Sequence, residues 1–147
     1  MELRIEARPE TVFSYFTDAA KFRAWLGVEA EIDARPGGLF HVTMTGRTRI
    51  AVRGEYLAVE PPHRIAFTWG WEGPIQTPAM RQVPPGSSAV EITLVPDGEA
   101  TILRLRHSGL PSEDAIGFHS FGWSTSFTRL GVIAAGRDPG PSPFADM

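Results

Sequence analysis

The chain of 147 residues contains no cysteine. That excludes a disulfide framework and a thiolate nucleophile, so stability has to come from packing alone. Lysine is nearly absent too: Lys21 is the single one among 14 basic residues, the rest being arginine, a bias that reads more safely as genome composition than as mechanism. A net charge of −3 provides no basic face, which argues against nucleic acid as a partner. No apolar run approaches the ~20 residues of a membrane span, and the N-terminus "MELRIEARPE" lacks a signal-peptide core. The expected location is cytoplasmic. The common signatures of chemistry are missing as well. There is no H-E-x-x-H and no close histidine pair for a metal, no G-x-S-x-G elbow, no Rossmann fingerprint and no P-loop. "RPGG" at 35–38 reads as a turn, and no cofactor or metal is expected.

What remains is an ordinary globular composition, 42% hydrophobic and 21% charged, in a chain long enough for one domain. "ELRIEA" alternates as a half-buried strand, and Pro9 suits the first turn of a helix carrying Val12, Phe13 and Phe16. Asp18 can cap a second short helix with Phe22, Trp25 and Leu26. Strand-like segments follow at 28–34, 39–45, 50–59 and 64–71, separated by turn chemistry, and a loop of about fifteen residues runs from Glu72 to Gly86, a length usually functional or mobile. Two more strands, 88–95 and 100–107, flank the hairpin signal "PDGE". Ser112 can then cap a helix to about Ala135, long enough at about 36 Å to cross a small sheet. Residues 1–136 are expected to form the domain and 137–147 a Gly/Pro-rich tail. The order is α+β: a curved antiparallel sheet of about six or seven strands wrapped around a long C-terminal helix, with two short helices after the first strand.

The stretch "RIAFTWGWEG" (64–73) holds the strongest functional hint. Ile65, Phe67, Trp69 and Trp71 recur at every second position and share one face of a strand. Three readings stay open: they fill a core, line a cavity, or form an outward patch that pairs two copies of the chain. In the cavity reading they stand beneath the long helix, opposite Phe118, Trp123 and Phe127, with Leu103, Leu105 and His107 joining from the last strand. His107 could hydrogen-bond a ligand or move a proton, or be a satisfied core histidine. His119 lies on the same helix side as Trp123. Tyr56 points inward more readily than Glu55, which would need a partner. Glycines at 117, 122 and 131 interrupt the helix pattern, leaving room either for close approach or for a ligand. Met80 sits near the middle of the long loop that would cover the mouth. Arg47, Arg49 and Arg53 read as a solvated edge.

The segments "ARPETVFSYFTDAAKFRAWL" (7–26), "ARPGGLF" (34–40), "GEYLAVEPPHRIAFTWGWEG" (54–73), "ATILRLRHSGL" (100–110) and "HSFGWSTSFTRL" (119–130) together resemble the activator-of-heat-shock-protein-ATPase homologues of the START-like SRPBCC superfamily. The resemblance spans nearly the whole chain. It implies a helix-grip fold with a cavity between sheet and C-terminal helix, which in the superfamily holds lipids, hormones or polyketide-like molecules. On that reading the wall would include Trp25, Phe40, Tyr56, Phe67, Trp69 and Trp71. In the eukaryotic co-chaperones such a domain is joined to a separate chaperone-binding domain, for which 147 residues leave no room. Binding of a small apolar molecule is therefore the leading expectation. A chaperone-associated or stress-response interaction module is the alternative, and a cyclase- or hydratase-type enzyme using His107, Tyr56 or His119 the third.

Overall fold

The structure is a computed structural model and describes all 147 residues. In chain order the elements are β1 (Glu2–Ile5), α1 (Pro9–Thr17), α2 (Ala19–Trp25), β2 (Glu29–Ile32), β3 (Leu39–Thr43), β4 (Ala51–Glu60), β5 (Arg64–Trp69), β6 (Trp71–Glu72), α3 (Pro78–Arg81), β7 (Ser88–Asp97), β8 (Ala100–Ser108) and α4 (Glu113–Ala134). The strands form one antiparallel sheet in the order β1-β8-β7-β5-β4-β3-β2, with β6 added against β4. The sheet curves without closing, α4 lies across its concave face, and α1 and α2 pack beside α4. This is the α+β helix-grip arrangement expected from the sequence. No helix is long and apolar enough to cross a membrane.

Local signals account for most boundaries. Asp18 accepts the Lys21 amide N–H at 3.0 Å and Ser112 that of Ala115 at 3.1 Å, so both expected caps form. Buried Val12, Phe13 and Phe16 set the inner face of α1. Ile116, read from its spacing as part of the α4 stripe, is instead 50% exposed, because Ala115 and His119 take the inward positions there. The long loop after β6 contains the one-turn helix α3.

The strand 64–71 is broken in two. Gly70 lies under the returning loop so closely that a Cβ there would meet the Pro84 carbonyl oxygen at 1.9 Å. The Trp71 amide donates to the Val83 carbonyl at 2.8 Å, and Trp71 pairs with Val52 on β4. The four large residues nonetheless share the concave face, since Ile65, Phe67, Trp69 and Trp71 are all buried. The outward-patch reading of this stretch therefore does not hold: both indoles point inward. Thr68 alternates to the other face, where its hydroxyl accepts the Glu55 N–H at 2.9 Å.

The close approach at Gly70 sets an expected outcome. Gly70→Ala should destabilise the protein by about 1–3 kcal/mol, the usual range for overpacking. A urea unfolding midpoint that does not move would show that the loop over β5 yields freely.

Candidate functional site

Three elements meet under the N-terminal half of α4. β5 and β6 bring Trp69 and Trp71, β8 brings His107, and α4 brings His119 and Trp123. The two imidazole rings stand nearly perpendicular, centroids 5.0 Å apart. Each accepts a hydrogen bond from an indole on the opposite layer. Trp71 Nε1–H donates to His119 Nε2 at 3.0 Å, and Trp123 Nε1–H donates to His107 Nδ1 at 3.1 Å.

The remaining ring nitrogens fix the tautomers. An indole can only donate, so both accepting nitrogens carry a lone pair. His119 Nδ1–H then donates to the Ala115 carbonyl at 2.7 Å. The Ser88 hydroxyl donates to the Trp69 carbonyl at 2.9 Å, which leaves its oxygen to accept His107 Nε2–H at 2.9 Å. Neither histidine keeps a lone pair free to take a proton. Burial pushes the His107 pKa down to about 3, with the neighbouring His119 adding to the shift. Burial lowers His119 as well, against the opposing effect of its bond to Ala115.

Trp69 stands among these rings, its centroid 4.9 Å from Trp123 and 5.7 Å from both Trp71 and His107. Its indole N–H is fully buried and has no acceptor. Such an orphaned donor costs about 1–3 kcal/mol.

Beside this cluster the packing leaves a hollow of about 180 Å³. Trp69 and Trp71 border it from the sheet, and Phe118, Gly122, Trp123 and Ser126 from α4. Phe118, Gly122 and Ser126 are spaced by four residues and so form one column on the helix. Met44 and Thr45 border it from the end of β3, and Thr77 and Met80 from the long loop. No charged side chain borders the hollow, and His119 there accepts the Trp71 N–H as a neutral imidazole. A second recess of about 230 Å³ is bordered by Met1, Leu105, Leu110 and Ile116, and His119 and Trp123 belong to both walls. The histidine–indole cluster is thus a partition between two spaces.

The tail supplies the last side of the hollow, through Phe144 and Met147. Arg129 holds this segment: its guanidinium donates to the carbonyls of Pro139, Gly140 and Pro141 at 3.0–3.2 Å, and to that of Ala24 at 3.3 Å. The Arg47 and Thr48 amides donate to a main-chain oxygen of Met147 at 2.7 and 3.1 Å.

Of the residues singled out from the sequence, Trp69, Trp71, Met80, Phe118, His119 and Trp123 border the hollow. Leu105 and His107 border the second recess. Trp25, Phe40, Tyr56, Phe67, Leu103 and Phe127 do not reach the hollow; they are buried in the core. The Phe40 and Phe67 rings stack at 4.1 Å, Trp25 meets Phe127 at 5.9 Å, and the Tyr56 hydroxyl donates to the Phe16 carbonyl at 2.8 Å. Burial, with Asp33 adding, pushes that phenol well above its ordinary range. Sequence reasoning passed over Ser126, Leu26, Met44, Thr45, Thr77 and the two tail residues. The four-residue spacing from Phe118 through Gly122 was the one signal that could have pointed to Ser126. Arg49 pairs with Glu29 and Arg53 with Glu72, a solvated edge as read from the sequence. No three metal-ligating side chains cluster.

The chain matches, over residues 6–135, the family described as Activator of Hsp90 ATPase homolog 1-like protein. Comparison with curated proteins returns no match. Among solved structures, it is similar to an AHSA1-like protein of Rhizobium etli at 45% identity and a TM-score of 0.72, covering 98% of this chain and 85% of that one. It is similar to CalU16 of Micromonospora echinospora at 29% identity and a TM-score of 0.71, covering 95% and 74% of the two chains. DynU16, from the dynemicin biosynthetic locus, shares the fold at 23% identity and a TM-score of 0.75, over 97% of this chain and 49% of its own.

Two outcomes follow from the bonding at this site. Both histidines are held below the ordinary pKa near 6.5, so the unfolded chain binds more protons than the folded one on the acid side of neutrality. Stability should be at its full value above about pH 6.5 and fall as pH drops below it, by up to about 1.4 kcal/mol per pH unit for each histidine still neutral in the fold, with the His107 contribution continuing to about pH 3. Nitrogen NMR should find His107 as the Nε2–H tautomer and His119 as the Nδ1–H tautomer at pH 6; an imidazolium at either position would contradict the bonding. Separately, Arg129→Met should speed hydrogen exchange at the Arg47 and Thr48 amides at least about ten-fold, equivalent to about 1.4 kcal/mol of local stability. Unchanged exchange would mean that Arg129 does not hold the tail.

Proposed function

The chain belongs to the Activator of Hsp90 ATPase homolog 1-like family, and we propose that within it this protein binds a small apolar molecule between the sheet and helix α4. The observation that carries the proposal is Gly122. A glycine inside a helix costs about 1 kcal/mol relative to alanine. Close packing against the sheet would account for that cost, but a Cβ at Gly122 would meet no atom within 4 Å. The glycine is not required by any neighbour, and what it leaves is open volume beside Trp69 and Trp123. Gly117 is equally unhindered, but it lies on the exposed side of α4 and borders no cavity. Aromatic and methionine side chains around a few polar groups are the usual make-up of a ligand wall. The place of DynU16 in a biosynthetic locus agrees with a role in handling a small organic compound.

The volume bounds the ligand. A cavity of about 150 Å³ admits benzene, so about 180 Å³ suits one ring with a small substituent. A lipid or sterol would have to displace the tail segment that carries Phe144 and Met147.

Filling the hollow separates this reading from a purely structural one. Gly122→Ala should raise stability by up to about 1 kcal/mol. Gly122→Leu should leave the protein folded and remove binding of toluene, followed through the indole N–H signals of Trp69, Trp71 and Trp123. If toluene moves none of these signals in the unaltered protein, and cumene and acetophenone do no better, the binding reading fails.

A further inference from the structure

We propose that the ligand is a neutral aromatic compound carrying a hydrogen-bonding oxygen, and that Ser126 is the residue that receives this oxygen; the proposal rests on the apolar-ligand reading above. The polar groups of the wall can be assigned one at a time. The Trp71 and Trp123 N–H groups are held by the two histidines. The Thr45 hydroxyl is shared with Thr48 and accepts the Ile50 amide. The Trp69 N–H has no partner, but it is sealed by the surrounding rings, so no acceptor reaches it without moving them. Thr77 sits at the exposed mouth.

That leaves Ser126. The residue is 3% exposed and borders the hollow, and its hydroxyl makes no hydrogen bond within the protein yet is not sealed off as the Trp69 N–H is. A helical serine ordinarily satisfies itself on the carbonyl four residues back. Thr128, two residues further on, does so with the Ser124 carbonyl at 3.0 Å. Ser126 does not, and its hydroxyl is available to something in the hollow.

Three features of the wall set the class of partner. No charged side chain borders the space, so a carboxylate or ammonium would enter with its hydration lost and no side-chain counter-charge to replace it. Flat rings border the space on both layers, Trp69 and Trp71 below and Phe118 and Trp123 above, which favours an aromatic body. Gly122 precedes Ser126 by one turn, about 6 Å along the helix. A ring seated over Gly122 would place a substituent oxygen at Ser126. A serine hydroxyl both donates and accepts, so a ketone, an aldehyde or a phenol meets the requirement.

The test uses three probes of similar size: acetophenone, cumene and benzoate. Affinities are read from the indole N–H shifts in the unaltered protein and in Ser126→Ala. Alanine is the better helix former and removes only an unpartnered hydroxyl, so the variant should fold normally, which a thermal scan checks. Acetophenone should bind Ser126→Ala about five-fold more weakly than the unaltered protein, the loss of one hydrogen bond. Cumene should bind both equally or favour the variant, and benzoate should bind neither. Equal acetophenone affinity in the two proteins, or benzoate binding more tightly than acetophenone, overturns the assignment. If cumene still binds in those cases, apolar binding survives; if toluene, cumene and acetophenone all fail, both readings fall.

Discussion

Helix α4 is fastened to the sheet by two hydrogen bonds that run in opposite directions. In one, an indole of the sheet donates to an imidazole of the helix, Trp71 to His119. In the other, an indole of the helix donates to an imidazole of the sheet, Trp123 to His107. The arrangement works only while both histidines are neutral. Protonating either one would turn its accepting nitrogen into a donor facing an indole N–H, and a buried donor without an acceptor costs more than the bond itself contributes. The depressed histidine pKa values and the attachment of the helix are therefore one fact seen from two sides. The same bonds leave both imidazoles without a lone pair for proton transfer, and they place His119 and Trp123 as the wall between two spaces.

That fastening explains why one face of one strand serves two purposes. At Phe67 the concave face is covered by the first two helices and their neighbours: Phe16 and Phe22 meet edge to face, Phe22 stacks on Trp25 at 5.2 Å, and Phe40 stacks on Phe67. The C-terminal half of α4 closes over this aromatic mass through Phe127. One residue pair further along, at Trp69 and Trp71, the cover of α1 and α2 ends. Its place is taken by the long loop and by the tail, and Gly122 presents no side chain. Whether these aromatics fill a core or line a cavity has no single answer along the strand; it changes between Phe67 and Trp69.

The elements were legible because their causes are local. Alternation at 64–71, the caps Asp18 and Ser112, and the turn residues between strands each need only a few neighbouring residues to act. The division of the aromatics was not legible. Phe67 and Trp69 have the same strand parity and the same chemistry, and differ only in what a distant helix places above them. The break at Gly70 depends on Pro84 passing overhead, and the role of His107 depends on Ser88 and Trp123. Tyr56 looked like a wall residue because it is a polar aromatic on an inward parity, yet its hydroxyl is taken by the Phe16 carbonyl from another element. Gly122 stood out in the sequence as an irregularity in a helix, but only the distances around it distinguish open volume from close packing. Ser126, one turn beyond, gave no signal by itself, since a helical serine usually bonds to its own backbone.

The walls of the hollow are not equally firm, and that ranking follows from how each is attached. The sheet side is held by strand pairing and by the reciprocal indole–imidazole bonds, so moving it would disturb the core. The tail side rests on the Arg129 guanidinium, which donates to carbonyls of successive residues, and on two amides of the β3–β4 turn. Hydrogen bonds at a surface are worth about 0.5–1.5 kcal/mol each, because water replaces them when they open. A compound larger than one ring would therefore be admitted at the tail rather than through the sheet, and its apparent affinity would be lowered by the population of the opened form. A single-ring compound needs no such displacement, which is why a hollow of this volume favours it.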